Sequence, residues 1–201
     1  MAAAPSRAWQ RMLSGRRLDI LDPSPIDVEL SDIAHGLARV ARWNGQTSGD
    51  FAFSGAQHSV VVMAIFGALN PDAPKVSILY ALLHDAPEYV MGDIISPFKT
   101  AMGGNYRDVE QRLLGAIHLR FGLSATLPDR LARLIKQADR QAAYLEAVTL
   151  AGFGTVEARK WFGEPSLVSF DREAIAQLLR PWPAPEANAR FIAEFEKLGQ
   201  R

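Results

Sequence analysis

Helical periodicity recurs along this chain of 201 residues, whereas the strict alternation of a half-buried strand is scarce. The segment from Gly55 to Leu69 is apolar nearly all round, which predicts a central buried helix. Other helices are expected over residues 27–43, 75–89, 105–121, 128–152, 171–179 and 186–198. Turn-forming Asn, Gly and Pro residues separate these segments. The pattern predicts an all-α bundle with short connections.

The chain length fits one compact domain. We expect residues 19–201 to form it, with a core over about 33–143 and the C-terminal helices packed on that core. The segment from Met1 to Arg17 has four arginines and no acid, and it lacks the apolar stretch of a secretory signal. Residues 1–18 are therefore expected to be a mobile leader.

Composition excludes several classes of protein. Lys and Arg together number 22, as do Asp and Glu, so a globally basic nucleic-acid binder is not indicated. Cysteine is absent, which excludes disulfides and thiolate sites and fits a cytoplasmic protein. The longest apolar run, residues 60–69, is about half of the roughly 20 residues that a membrane span needs. P-loop, Rossmann, serine-hydrolase and zincin motifs are also absent from the sequence.

Two imidazoles and two carboxylates form a plausible ligand set for one divalent transition metal ion: His58, His84, Asp85 and Asp139. Asp85 follows an apolar stretch, and a buried aspartate needs a partner, for which a metal ion is well suited. Simpler interpretations exist. His58 alone could be a hydrogen-bonded core residue, and Asp139 could pair with Lys136 or Arg140 instead.

Two further acids follow the adjacent His84 and Asp85. Glu88 lies four residues after His84, so its carboxylate is expected on the same helix face. Asp93 follows a glycine and could otherwise be a turn or helix-cap residue, just as Glu88 could be a solvated helix-end residue. Spare acids beside a metal site favour metal-assisted hydrolysis, because the attacking water needs a base and the leaving group needs an acid.

Basic and aromatic side chains supply candidate substrate contacts. Arg42 and Trp43 join a cation to a flat ring, which suits a phosphate contact beside a wall for a base. Lys99 is a second candidate phosphate partner. Arg42 and Lys99 could also be surface charges, and Trp43 a half-buried packing residue. His118 is expected to be an exposed helix residue.

The order of these residues on a helical chain resembles the HD-domain phosphohydrolases. Residues 82–94 are particularly similar to the branch of bacterial 5′-deoxynucleotidases and also resemble phage-type dNTP triphosphohydrolases. The likeness covers roughly Ile33 to Ala143. It departs from that branch at Gln57, where a glutamate is usual, and at Pro87, where a smaller helix-compatible residue is usual.

The resemblance implies an HD-domain helical bundle, a homodimer and a role for each candidate residue. The metal would be held by His58, His84, Asp85 and Asp139. Glu88 would be the general acid or base near the leaving oxygen, and Asp93 would orient water or substrate. Arg42 would contact phosphate, and Trp43 would shape the sugar or base pocket.

The expected activity is metal-dependent hydrolysis of (deoxy)nucleoside 5′-phosphates, most simply of a phosphomonoester, with a small-molecule nucleotide as the partner. The cofactor is expected to be one divalent metal ion, with Mn, Co, Zn, Fe and Mg all open. One alternative is a dNTP triphosphohydrolase that releases triphosphate. Another is an HD-like module that senses a nucleotide without turnover.

Overall fold

Helices form most of the protein in a computed structural model that describes residues 8–94, 104–166 and 172–199. The expectation of a mainly helical fold is confirmed. None of the helices in these ranges is long and apolar enough to cross a membrane. The helices are α1 (Leu30–Leu37), α2 (Gly55–Leu69), α3 (Lys75–Leu82), α4 (Glu88–Met91), α5 (Gly104–Arg120), α6 (Asp129–Thr149), α7 (Thr155–Phe162), α8 (Arg172–Leu178) and α9 (Ala184–Gly199).

Helix α2 lies at the centre of the helical core. The hydroxyl oxygen of Ser54 caps its first turn by accepting a hydrogen bond from the backbone N–H of Gln57 at 3.2 Å. The helix is apolar on nearly all faces because α3, α6 and α9 all pack against it. It ends at Leu69, next to the Asn70-Pro71 breaker. The prediction of a central buried helix at this place is confirmed.

The prediction of a single helix over residues 75–89 is wrong, because this part of the chain forms two helices, α3 and α4. Helix α3 ends at Leu82, and α4 begins only after Pro87. Proline has no N–H to continue the helical hydrogen bonds. Short-range bonds replace them, from Ala86 N–H to the Leu83 carbonyl and from Glu88 N–H to the Asp85 carbonyl, both at 3.0 Å. The His84–Asp85 pair therefore lies in a turn between two helices rather than within one.

Helix α1 is also shorter than the expected span of residues 27–43. It ends at Leu37, and the backbone N–H of Arg42 donates instead to the Phe53 carbonyl at 2.8 Å. The next two residues, Trp43 and Asn44, have φ values of 56° and 51°, a left-handed conformation that non-glycine residues seldom adopt. This turn directs the chain back towards α2 and brings Arg42 towards the interior.

A β-hairpin occupies part of the segment that we expected to be a mobile leader. Strand β1 (Trp9–Arg11) pairs antiparallel with β2 (Arg17–Asp19). Leu18 is fully buried, and the backbone N–H of Ser14 donates to the Asp32 carboxylate of α1 at 2.9 Å. The expectation is therefore wrong from Trp9 onwards, because an apolar anchor and a buried acid attach this segment to the helices.

Helix α9 packs on α1, α2 and α3. The connection from α8 to α9 is attached to α2 through the fully buried side chain of Gln57. Its amide nitrogen donates to the carbonyls of Leu178 at 2.7 Å and Arg180 at 2.6 Å. Its amide oxygen accepts from the backbone N–H of Trp182 at 3.0 Å. The residue beside His58 thus holds this connection on the central helix.

Candidate metal centre

The four candidate ligands converge on one point. Nε2 of His84 lies 3.1 Å from Asp85 Oδ2 and 4.0 Å from Asp139 Oδ1. Nε2 of His58 lies 3.3 Å from Asp139 Oδ1 and 3.5 Å from Asp85 Oδ2. One ligand atom from each of the four side chains lies within 4.8 Å of all the others, so this group could hold a metal ion.

The chemistry of this group fits a metal ion. Bonds of about 2.0–2.2 Å from one ion to nitrogen and oxygen ligands place those ligands roughly 3–4 Å apart. Within the described ranges, Nε2 of His58 and Nε2 of His84 are buried and face the two carboxylates, but neither makes a hydrogen bond of normal geometry. The other ring nitrogens are engaged, with Nδ1 of His58 2.6 Å from Glu146 Oε1 and Nδ1 of His84 2.9 Å from the Ala81 carbonyl. Such outer partners are typical of metal-binding histidines.

Three helical elements position these side chains. His58 lies in the first turn of α2, Asp139 lies on α6, and His84 and Asp85 lie in the turn after α3. Because α2 packs against both α3 and α6, its first turn is a meeting point for all three. Asp139 also pairs with Lys136, whose Nζ donates to Oδ2 at 2.6 Å. The pairing of Asp139 with Lys136 is thus observed, and it leaves the other carboxylate oxygen, Oδ1, facing His58 and His84.

The group carries strongly interacting charges. Burial and the Arg42 cation lower the pKa of His58, but Glu146, Asp139 and Asp85 outweigh them and raise it well above the ordinary value. Burial raises the pKa of Asp85, but the two histidines outweigh it and lower that pKa well below the usual range. Burial and the nearby Asp85 charge raise the pKa of Asp139, but its contact with the His58 ring and the charges of both histidines outweigh them and lower it. The neighbouring acids thus favour the positively charged form of His58, and a bound cation could supply positive charge at the same place.

Arg42 and both spare acids lie beside this group. Nη1 of Arg42 is 3.3 Å from Asp93 Oδ2 and 3.8 Å from Asp85 Oδ2, and its Nε is 3.6 Å from Glu146 Oε2. Burial lowers the pKa of Arg42, but Glu146, Asp93 and Asp85 outweigh it and raise it further above its ordinary value. Glu88 is only 2% exposed at the start of α4 and acts electrostatically on the same guanidinium. Arg42 is thus a fixed cation at the edge of the candidate centre.

Trp43 and Lys99 are the other two expected substrate contacts, and the structure describes only Trp43. Trp43 donates from Nε1 to Glu146 Oε2 at 2.9 Å. Its ring packs against Phe153 and Phe162, with centroid distances of 5.6 and 5.7 Å, in a small apolar cluster formed with α6 and α7. The structure therefore gives Trp43 a packing role beside the candidate centre. Lys99 lies outside the described residues.

Comparison with known proteins identifies a relative along almost the whole chain. No family model matches the sequence. An uncharacterized protein of Rhodobacter capsulatus is 54% identical over 192 residues, which is 96% of this chain and 96% of the relative. This chain belongs to the same family as that protein. Because the relative is itself uncharacterized, the chemistry has to be argued from the site.

Sequence reasoning missed Glu146, which is fully buried behind the candidate ligands. Its carboxylate contacts His58, Trp43 and Arg42. Burial raises the pKa of Glu146, but His58 and Arg42 outweigh it and lower that pKa. A signal was available, because Glu146 follows Asp139 by seven residues, which is two helical turns and therefore the same face of α6.

The expectation that His118 is exposed is wrong. It is 2% exposed on α5, and its ring meets the Tyr80 ring edge-on at a centroid distance of 4.8 Å. Burial lowers its pKa, although the backbone of Ala125 acts in the opposite direction. His118 follows Leu114 by four residues and therefore shares its inward face.

Proposed function

We propose that this protein is a metal-dependent phosphohydrolase of the HD superfamily that acts on (deoxy)nucleoside 5′-phosphates by phosphomonoester hydrolysis. The observation that carries the proposal is the convergence of four ligand side chains on one point beside a buried arginine and two further acids. Two observations support the HD-type bundle. The four ligands follow one another along the chain in the order that the resemblance implies, and they lie on or next to α2, α3 and α6, which pack together.

The residues that would hold the metal are His58, His84, Asp85 and Asp139. A divalent ion bound there supplies Lewis acidity towards a phosphoryl oxygen and lowers the pKa of water. Mn, Co, Zn, Fe and Mg are the candidates. The mixed nitrogen and oxygen ligands favour the transition metals among them over Mg, and availability then selects the ion.

Arg42 is the residue best placed to bind the substrate phosphate. Its guanidinium is 3.3 Å from Asp93 and 3.8 Å from Asp85, so its position is set by acids at the centre itself. A guanidinium offers several N–H donors in one plane, which match the oxygens of a phosphate. Because Arg42 is largely buried, it stabilises charge that develops on phosphoryl oxygens more strongly than an exposed cation would.

Glu88 and Asp93 are the proposed proton-handling residues. The carboxyl group of Glu88 is almost removed from water, which suits a group that gives a proton to a leaving oxygen. Asp93 contacts Arg42 and lies at 11% side-chain exposure, so it can orient either water or the sugar of a substrate bound to that arginine. These roles follow the resemblance and are the ones that substitution would test.

The test is turnover by metal-stripped protein given a panel of nucleoside mono- and triphosphates, with one divalent metal added back at a time. Phosphate released from monophosphates is the expected product. Tripolyphosphate would support the dNTP triphosphohydrolase instead, and metal and nucleotide binding without turnover would support the sensing module. Asp85→Ala and Glu88→Gln should each lower turnover at least 100-fold. Asp129→Ala and Glu157→Gln are matched controls at exposed positions and should retain it.

The homodimer and the cytoplasmic location stay predictions. Sedimentation velocity of the whole chain would decide the first, with a single species of twice the chain mass as the expected result. Fractionation of cells that express a tagged chain would decide the second.

A further inference from the structure

A cavity of about 220 Å³ opens beside the candidate metal centre, between α3, α5 and α6. Three of the candidate ligands line it, namely His84, Asp85 and Asp139. Much of the remaining wall is apolar and includes Leu114, Leu127 and Ile135. A substrate that reaches the candidate ligands from this side therefore has an apolar space next to its reacting end.

His118 supplies a polar group to this apolar wall. Its side chain lines the cavity and is 2% exposed, and neither ring nitrogen makes a hydrogen bond of normal geometry with the described residues. Tyr80 orients the ring by an edge-on contact and is itself anchored by a hydrogen bond from its hydroxyl to the Ser124 carbonyl at 3.1 Å. Ala125 offers the ring only a weak backbone contact, and a buried polar group without a well-formed hydrogen bond is costly, so a ligand that bonds to His118 is favoured.

The lining favours an uncharged group over further phosphates. Lys136 is a cation of this wall, but its Nζ is already 2.6 Å from Asp139 Oδ2. A polyphosphate would lose hydration against Leu114, Leu127 and Ile135 without new charged partners. The cavity is smaller than the roughly 300–1,000 Å³ of sites for drug-sized ligands, so it suits one flat ring system.

We propose that this cavity binds the nucleobase of the substrate and that His118 hydrogen-bonds to the edge of the base. The proposal rests on the proposed function and deepens it, since it makes His118 a residue that favours nucleotides over other phosphate esters. The cavity also favours monophosphates over triphosphates, because its apolar lining next to the candidate ligands suits a base better than further phosphate groups.

The first test compares kcat/KM for deoxynucleoside 5′-monophosphates with kcat/KM for 2-deoxyribose 5-phosphate, which has the sugar and phosphate but no base. His118→Phe keeps a ring of similar size and removes the hydrogen bond. We expect the value for nucleotides to fall about tenfold, as for one lost hydrogen bond, while the value for the sugar phosphate stays unchanged. Equal losses on both substrates, or no loss on nucleotides, would overturn the proposal.

A second variant and a control keep the test independent of folding. Ala132→Phe places a large ring in the cavity from α6, and His35→Phe makes the histidine substitution at a half-buried position on α1 that is outside the cavity lining. Binding of deoxyadenosine and thymidine, which carry no phosphate, is measured by calorimetry for each variant that keeps the wild-type melting temperature. We expect Ala132→Phe to abolish binding and His35→Phe to leave it unchanged.

Nucleoside binding separates this proposal from the proposed function. If the wild-type protein binds nucleosides through the cavity but hydrolyses none of the phosphates, the cavity assignment stands and the phosphohydrolase assignment fails. If it hydrolyses nucleotides and Ala132→Phe leaves their KM unchanged, the cavity assignment fails and the phosphohydrolase assignment stands.

Discussion

Nδ1 of His58 lies 2.6 Å from Oε1 of Glu146, and both side chains are fully buried. This contact directs the opposite ring nitrogen of His58 towards Asp85 and Asp139. A carboxylate behind a histidine fixes the tautomer and the ring orientation and makes the histidine a stronger ligand. The same carboxylate accepts from Trp43 at 2.9 Å, so the candidate centre is joined to the turn that carries Arg42.

Glu146→Gln should weaken binding of a divalent metal about 10- to 100-fold, which is the usual effect of losing such an outer partner. The substitution keeps the shape of the side chain and removes its charge. Cobalt titration followed by visible absorption measures the affinity, with Glu157→Gln on the exposed side of α7 as the control. Equal cobalt affinities for Glu146→Gln and wild type would show that Glu146 has only a packing role.

Stability of the metal-free protein should fall as pH rises above about 6.5. The pKa of His58 is raised on folding, so its contribution is complete below the ordinary value of 6.5 and is lost as pH rises through the raised pKa. The pKa values of Asp85, Asp139 and Glu146 are lowered, so their contributions are lost as pH falls below about 4. The metal-free protein should therefore be most stable between about pH 5 and 6.5.

Added metal should reverse this trend, because a histidine must lose its proton to bind a metal ion. The rise in melting temperature on adding Mn²⁺ should grow with pH above about 6.5, the range in which the metal-free protein loses stability. Thermal melts at several pH values, with chelator or with Mn²⁺, measure both effects. His58→Asn should remove the pH dependence on the alkaline side. A metal-free protein that gains stability above pH 6.5 would contradict the assignment.

Much of the candidate centre could be predicted from residue types in chain order. His58, His84, Asp85 and Asp139 lie together as expected, because their positions follow from helices that strong apolar patterns define. Glu146 was missed because its partner His58 is 88 residues away, and no local pattern reports such a pairing. Packing of α2 on α6 creates it.

The break between α3 and α4 and the N-terminal hairpin were missed for a related reason. Pro87 favours either a kink or a break, and the choice depends on whether tertiary contacts compensate the lost helical bonds. Leu18 is one of several apolar residues in a basic segment, and it is buried, whereas Leu13 is exposed, because the helices provide a place for it. Local propensity is a weak guide where such long-range contacts decide the structure.

Gln57→Glu should destabilise the protein by about 3 kcal/mol, since two partly buried carbonyls would each lose a donor worth about 1–3 kcal/mol. This glutamine is where the resemblance expects a glutamate, and its amide donates to the carbonyls of Leu178 and Arg180. A carboxylate cannot make either bond. Urea unfolding measures the change, and Gln137→Glu on the exposed side of α6 is the matched control. If the two variants were equally stable, the glutamine bonds would contribute little.

Gly36→Ala should destabilise the protein by about 1–3 kcal/mol, because α1 approaches α4 too closely at this point for a side chain. A Cβ atom on Gly36 would lie 2.7 Å from the backbone oxygen of Tyr89 and 2.8 Å from its Cβ, so α4 would have to move. Glu88 precedes Tyr89 on that helix, and we therefore expect the displacement to lower nucleotide hydrolysis as well.

Gly67→Ala is the matched control on α2, where an added Cβ would have no neighbour within 4 Å among the described residues. Alanine at this helical position should stabilise the protein by about 0.5–1 kcal/mol. Urea unfolding and turnover measurements on both variants test the pair. We expect the free energy of unfolding to fall for Gly36→Ala and to rise for Gly67→Ala. A Gly36→Ala protein as stable and as active as Gly67→Ala would mean that α1 and α4 are further apart and that the position of Glu88 does not depend on this contact.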